Sequence, residues 1–158
     1  MKVKLLLAPL LCLLLMVSCK EKQYIVGYYN YAQFQKDCHW DYFVDEKYQA
    51  RERWADSLAS LNDPDSVRLQ LFLGCYCGDS RKWVSRFYAL KPQLPVSSVE
   101  IISVDTTKKD EKGYAEAVGI KKIPTFIFYK GSTEIGRIVE KPKGRLEKRL
   151  YEVLKKRE

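Results

Sequence analysis

Histidine is almost missing from this sequence: His39 stands alone among 158 residues, beside Trp40. It reads as a capping or surface residue, not as a general base. Nor do the glutamates and aspartates form an evident acid–base pair, so hydrolytic chemistry has no support. There is no glycine-rich phosphate loop, no internal repeat and no low-complexity segment. The apolar run from Leu5 to Val17, broken by Pro9 and Cys12, is shorter than the roughly 20 residues that span a bilayer. Cys38, His39, Cys75 and Cys77 could be soft metal ligands, but their spacing matches no compact zinc pattern. No cofactor is expected. The formal charge is +8, yet the lysines are spread out. Their densest stretch, Lys141 to Arg157, reads as an amphipathic helix with a solvated face, and no nucleic-acid partner is expected.

What is present begins with a leader. Lys2 and Lys4 precede the apolar run, which ends in Met16-Val17-Ser18-Cys19 before the polar Lys20-Glu21-Lys22. Such a pattern is a secretory signal, not a membrane span. Its end resembles the lipobox of bacterial lipoproteins, with Met16 where leucine is usual. The resemblance implies a signal peptide over residues 1–18 and lipidation of Cys19, whose several acyl chains would anchor the protein stably. It places the protein in the bacterial cell envelope, with the domain in the periplasm or at the cell surface. Lys20, where an aspartate would retain many lipoproteins at the inner membrane, favours the outer membrane. Removal of residues 1–18 leaves 140 residues with 26 basic and 20 acidic side chains, one domain with a real core. Cys38, Cys75 and Cys77 then remain. An odd number in an oxidising compartment leaves at least one free, in exchange, or bound to another molecule.

Residues 19–64 form an N-terminal extension with one helix. Its aromatic start, Tyr24 to Phe34, is either an arm laid over the domain or an extra edge element. Trp40, Phe43, Val44, Tyr48, Trp54, Ala55, Leu58 and Leu61 approximate one helical face that ends before Asn62-Asp63-Pro64. Residues 65–158 read as strand Val67–Leu73, helix Asp79–Leu90, strand Val99–Val104, helix Lys109–Val118, strands Thr125–Tyr129 and Glu134–Val139, and helix Gly144–Lys156. This β-α-β-α-β-β-α order gives a three-layer α/β sandwich, and VEIISV has the continuous apolar character of a strand buried on both faces.

Two short motifs carry the chemistry. Tyr76-Cys77-Gly78-Asp79-Ser80 lies at a strand-to-helix junction, and Ile123-Pro124-Thr125 opens a later strand. Together they resemble the thioredoxin superfamily, over about residues 65–157. The resemblance places Cys77 on the family's nucleophile and Pro124 on its cis-proline, with Tyr76, Gly78, Asp79 and Ile123 around the substrate. The positive end of a helix favours a thiolate, which is the reactive form. Three departures stand out. Ser80 replaces the second cysteine; its hydroxyl can donate to a Cys77 thiolate but cannot resolve a mixed disulfide. Leu71 occupies the position of a proton-moving aspartate, and Glu140-Lys141-Pro142 that of a glycine lining the substrate groove. Cys75 is either a partner closing a Cys-x-Cys ring with Cys77 or a small residue filling the strand end; Cys38 cannot be placed. The functional expectation is single-thiol exchange through Cys77, acting on protein disulfides or small thiols as a monomer. The alternatives are a thioredoxin-fold module that binds or holds clients, and metal delivery through Cys75 and Cys77.

Overall fold

The computed structural model describes residues 24–40, 44–61 and 67–157. A five-stranded sheet in the order β1-β3-β2-β4-β5 is its centre. Its strands are β1 (Gly27–Tyr29), β2 (Val67–Leu73), β3 (Val96–Ser103), β4 (Thr125–Lys130) and β5 (Thr133–Val139). The middle strand β2 runs parallel to β3 and antiparallel to β4. The β4–β5 hairpin and the antiparallel β1–β3 pair complete the sheet. Helices α1 (Tyr31–Asp37), α2 (Glu52–Ala59), α3 (Gly78–Leu90), α4 (Tyr114–Ala117) and α5 (Leu146–Leu154) surround it.

Period-two alternation divides β2 between two cores. Leu69, Leu71 and Leu73 join Val84 and Phe87 of α3, Phe126 and Phe128 of β4, and Leu150 of α5. Phe72 faces the other way, with Ile102, Ile120, Ile123 and Ile127. The three-layer sandwich is therefore present, and its second outer layer is thin because α4 is one turn long. Gly113, at φ 70°, opens that turn in the left-handed region natural to glycine. The expected longer helix from Lys109 yields to a loop that Asp110 ties to α4: its carboxylate accepts from Lys112 N–H of the loop at 3.0 Å and from Ala115 N–H of α4 at 2.6 Å.

The extension departs from the single helix expected of it. Asn30 and Gln33 form a reciprocal capping box that starts α1, and His39 at φ 52° turns the chain after Cys38. Residues 44–50 then run without helix, and α2 begins only at Glu52. Trp40, Leu58 and Leu61 are buried all the same. Their helix-like spacing came from separate segments facing one core, and one core imposes a similar apolar rhythm on all of them. Phe34 of α1 and Leu58 of α2 lie in the same cluster as the β2 leucines, and β1 pairs with β3 as an added edge.

Candidate active site

β2 ends at Leu73, and the turn that follows needs glycine. A Cβ on Gly74 would lie 2.7 Å from the Tyr76 ring and 2.8 Å from the Ile123 side chain. That close approach lets the Tyr76 ring cover the strand end. The Cys77 N–H donates to the Gly74 carbonyl at 2.9 Å, placing Cys77 at the N-cap of α3. Its Sγ accepts from the Ser80 N–H at 3.4 Å and lies 3.8 Å from the Ile123 carbonyl oxygen. A sulfur in this position meets unpaired helix NH groups, which stabilise negative charge. The Ile123–Pro124 peptide is cis, and both residues are buried. Thr125 fixes the bend by donating its hydroxyl to the Lys122 carbonyl at 2.7 Å.

The structure thus brings Tyr76, Cys77, Ser80, Ile123 and Pro124 together, with Gly78 and Asp79 exposed on the first turn of α3. Ser80 contributes two groups here. Its backbone NH reaches the sulfur, whereas its buried hydroxyl accepts from Gly74 N–H at 3.4 Å. Leu71, fully buried, pairs in register with Ile101 and Phe126; a leucine there can relay no proton.

Tyr76 is held from several sides. Its hydroxyl donates to the Asp105 carbonyl, its ring meets Tyr24 edge-on at 5.2 Å, and Lys108 Nζ stands 5.8 Å from the ring centre. Burial, reinforced by the neighbouring Cys77 and Asp105, pushes its phenol up to about 12. Asp105 anchors its own loop by accepting from Lys109 N–H and from Thr107, bonds that hold its carboxyl below the usual range.

The pairing of the remaining cysteines answers what spacing could not. Cys75 is bonded to Cys38, with S–S 2.00 Å and Cα–Cα 5.5 Å. Cys75 therefore does not close a ring with Cys77, and Cys77 is the free cysteine among the described residues. The odd count was the one sequence signal; the partner sits 37 residues away in the extension, beyond any local pattern. With Cys38 and Cys75 joined, two of the soft ligands considered for metal delivery are occupied. Among the described residues no cluster of three or more histidine, cysteine or carboxylate side chains is placed to hold a metal ion. No helix among them is long and apolar enough to cross a membrane. Cys19, the expected lipidation site, lies outside the described residues.

The family model described as Thioredoxin matches residues 47–156. Thioredoxin H9 of Arabidopsis thaliana is 26% identical over 104 residues, which are 66% of this chain and 71% of that protein. Among solved structures, an HIV epitope scaffold superposes with a TM-score of 0.52 at 18% identity, over 79% of this chain and 80% of its own. Oxidised thioredoxin O2 from Arabidopsis thaliana superposes with a TM-score of 0.42 at 20% identity, over 65% of this chain and 84% of its own.

Proposed function

The chain belongs to the thioredoxin family, and on that premise we propose that it performs thiol–disulfide exchange through one nucleophile, Cys77, as an exported lipoprotein. The observation that carries this reading is the free Cys77 sulfur at the start of α3, receiving the Ser80 N–H and facing the cis Ile123–Pro124 peptide. The Cys77 thiolate attacks one sulfur of a substrate disulfide. A bond forms between Cys77 and that sulfur, and the other sulfur leaves as a thiolate that takes a proton from water. An external thiol, a small thiol or a second protein thiol, then attacks the mixed disulfide. That frees Cys77 and carries the substrate sulfur away in a new disulfide, so electrons balance between substrate and donor.

A second reading has its own support. Ser80 offers no thiol and Leu71 no acid, so release depends on the outside donor and mixed disulfides persist. A domain of that kind holds clients instead of turning them over. Incubating the full chain with disulfide-bearing proteins and mapping adducts by mass spectrometry tests both. Mixed disulfides on Cys77, absent in Cys77→Ser and cleared with turnover by glutathione or dithiothreitol, support exchange. Adducts that no donor clears leave the holding module, and no adduct at all removes both readings.

The anchor rests on the Met16-to-Cys19 pattern, and Lys20, in the place of a retaining aspartate, favours the outer membrane. Cys19→Ser is expected to lose lipid labelling and release the protein from membranes; unchanged labelling would refute the anchor.

A further inference from the structure

We propose that the cationic groove beside Pro124 selects disulfides flanked by acidic residues, an inference that rests on the exchange reading and names its substrate class. The groove holds about 590 Å³ and is lined by Lys122, Arg137, Lys141, Lys143 and Arg149 against one carboxylate, Glu140. Two of its lining residues, Lys122 and Glu140, meet the Ile123–Pro124 segment. Lys122 directly precedes Ile123, whose carbonyl oxygen lies 3.8 Å from Cys77 Sγ. On the other side, the Glu140 N–H donates to the Pro124 carbonyl at 2.7 Å. An extended substrate joined to Cys77 and laid along Ile123–Pro124 would put the residues beside its half-cystine into this groove.

Its positive charge is only partly neutralised within the protein. Lys122 pairs with Glu140 at 2.6 Å, Arg137 with Glu134 at 2.6 Å, and Arg149 with Glu152. Lys141 and Lys143 are exposed, and neither forms an ion pair among the described residues. Three of the five lining cations are thus paired at contact distance, and the uncompensated charge of the groove is that of Lys141 and Lys143. A concave wall of one sign concentrates ligands of the other and speeds their encounter. A second groove, lined by Gly78 next to Cys77, makes the contrast. There Lys47, Arg81 and Lys82 stand among Asp45 and Glu46, a mixed set that gives no comparable preference. Val139, 43% exposed, and Pro142 add apolar wall in the cationic groove, which suits a peptide with side chains better than a flat headgroup layer.

The test uses the full chain carrying Cys77→Ser, so that binding is read without covalent capture. Three fluorescent peptides of equal length, each with its cysteine capped as a methyl disulfide, are flanked by aspartates and glutamates, by serines, or by lysines. Anisotropy at low salt is expected to show the acidic peptide binding about tenfold tighter than the serine peptide, an advantage that salt erodes by screening. Lys141→Glu with Lys143→Glu, at two exposed positions, is expected to abolish or invert the ranking. The salt series on the unaltered groove needs neither variant. Equal affinity for the acidic and serine peptides at low salt overturns the proposal, as does a preference left intact by the double variant. Binding of anionic vesicles through the same lysines with no peptide preference also overturns it, in favour of a membrane role. Failure of Cys77 to form any mixed disulfide would sink the exchange reading while leaving this charge ranking measurable.

Discussion

Ser80 decides what happens after Cys77 has reacted. Its backbone NH lies 3.4 Å from the sulfur, so the side chain at this position starts one helical turn from the nucleophile, where a thiol could meet it. Ser80→Cys is therefore expected to give a disulfide between Cys77 and the introduced thiol, read as the loss of two hydrogens in the intact mass. It should also stop mixed disulfides from accumulating. An attached thiol acts at an effective concentration in the millimolar range or above, which competes well with added donors. If the variant still accumulates adducts like the parent, the site does not allow the second sulfur to reach the first. Sequence made Cys77 and Pro124 legible because their motifs are short and local. The orientation of the Ser80 hydroxyl was not, since it depends on Gly74, whose NH it accepts. Gly74 in turn is required by the Tyr76 ring folded over it.

At the scale of elements, the segment before α2 is fastened to α5 by one carboxylate. Glu147 is fully buried and accepts from the Tyr48 hydroxyl at 2.8 Å, the Arg51 N–H at 3.4 Å, and the Arg145 guanidinium. Burial alone would raise its pKa. The bonds from Arg145 and Tyr48 outweigh that and hold it below the ordinary glutamate range. A carboxyl depressed in the folded state contributes stability that is present above its unfolded value, about 4.3. That stability fades as pH falls through the folded value. Glu147→Gln is expected to cost about 2–3 kcal/mol near neutral pH, less than a fully enclosed pair because Arg145 remains one-third exposed. It should also flatten the loss of stability below about pH 4.3. Denaturant midpoints of parent and variant across that range check both; parallel pH curves would show that Glu147 does not carry the dependence. Strands β2, β4 and β5 and helix α3 were readable from dense apolar patterning. Glu147 was not, because its position reads as part of a solvated helix face until the extension is laid across that face. Trp54 meeting Tyr151 at 5.9 Å marks the same contact.

For the whole molecule, the question is how residues 24–40 and 44–46, which precede the family match at 47, become part of the domain. They add β1 to the sheet edge, bury Phe34 in the main core, and hold Cys38 of the Cys38–Cys75 bond. That bond closes a loop of 37 residues' separation and ends within the nucleophile's own turn, between Gly74 and Cys77. Constraining such a loop in the unfolded chain is worth about 4 kcal/mol in the chain-entropy view. Cys38→Ala with Cys75→Ala is expected to lower unfolding stability by an amount of that order, measured by denaturant titration. The packing of Phe34 and Trp40, both buried beside it, should keep the native fold populated. The same pair of changes separates a staple from a participant in exchange. If Cys77 alone reacts with substrates, the double variant still forms mixed disulfides on Cys77, and external thiols clear them at the parent's rate. If clearance slows in the variant, the external thiols first reduce Cys38–Cys75 to two thiols, one of these attacks the mixed disulfide on Cys77, and the pair closes again as that disulfide is released; the extension is then part of the chemistry as well as of the core.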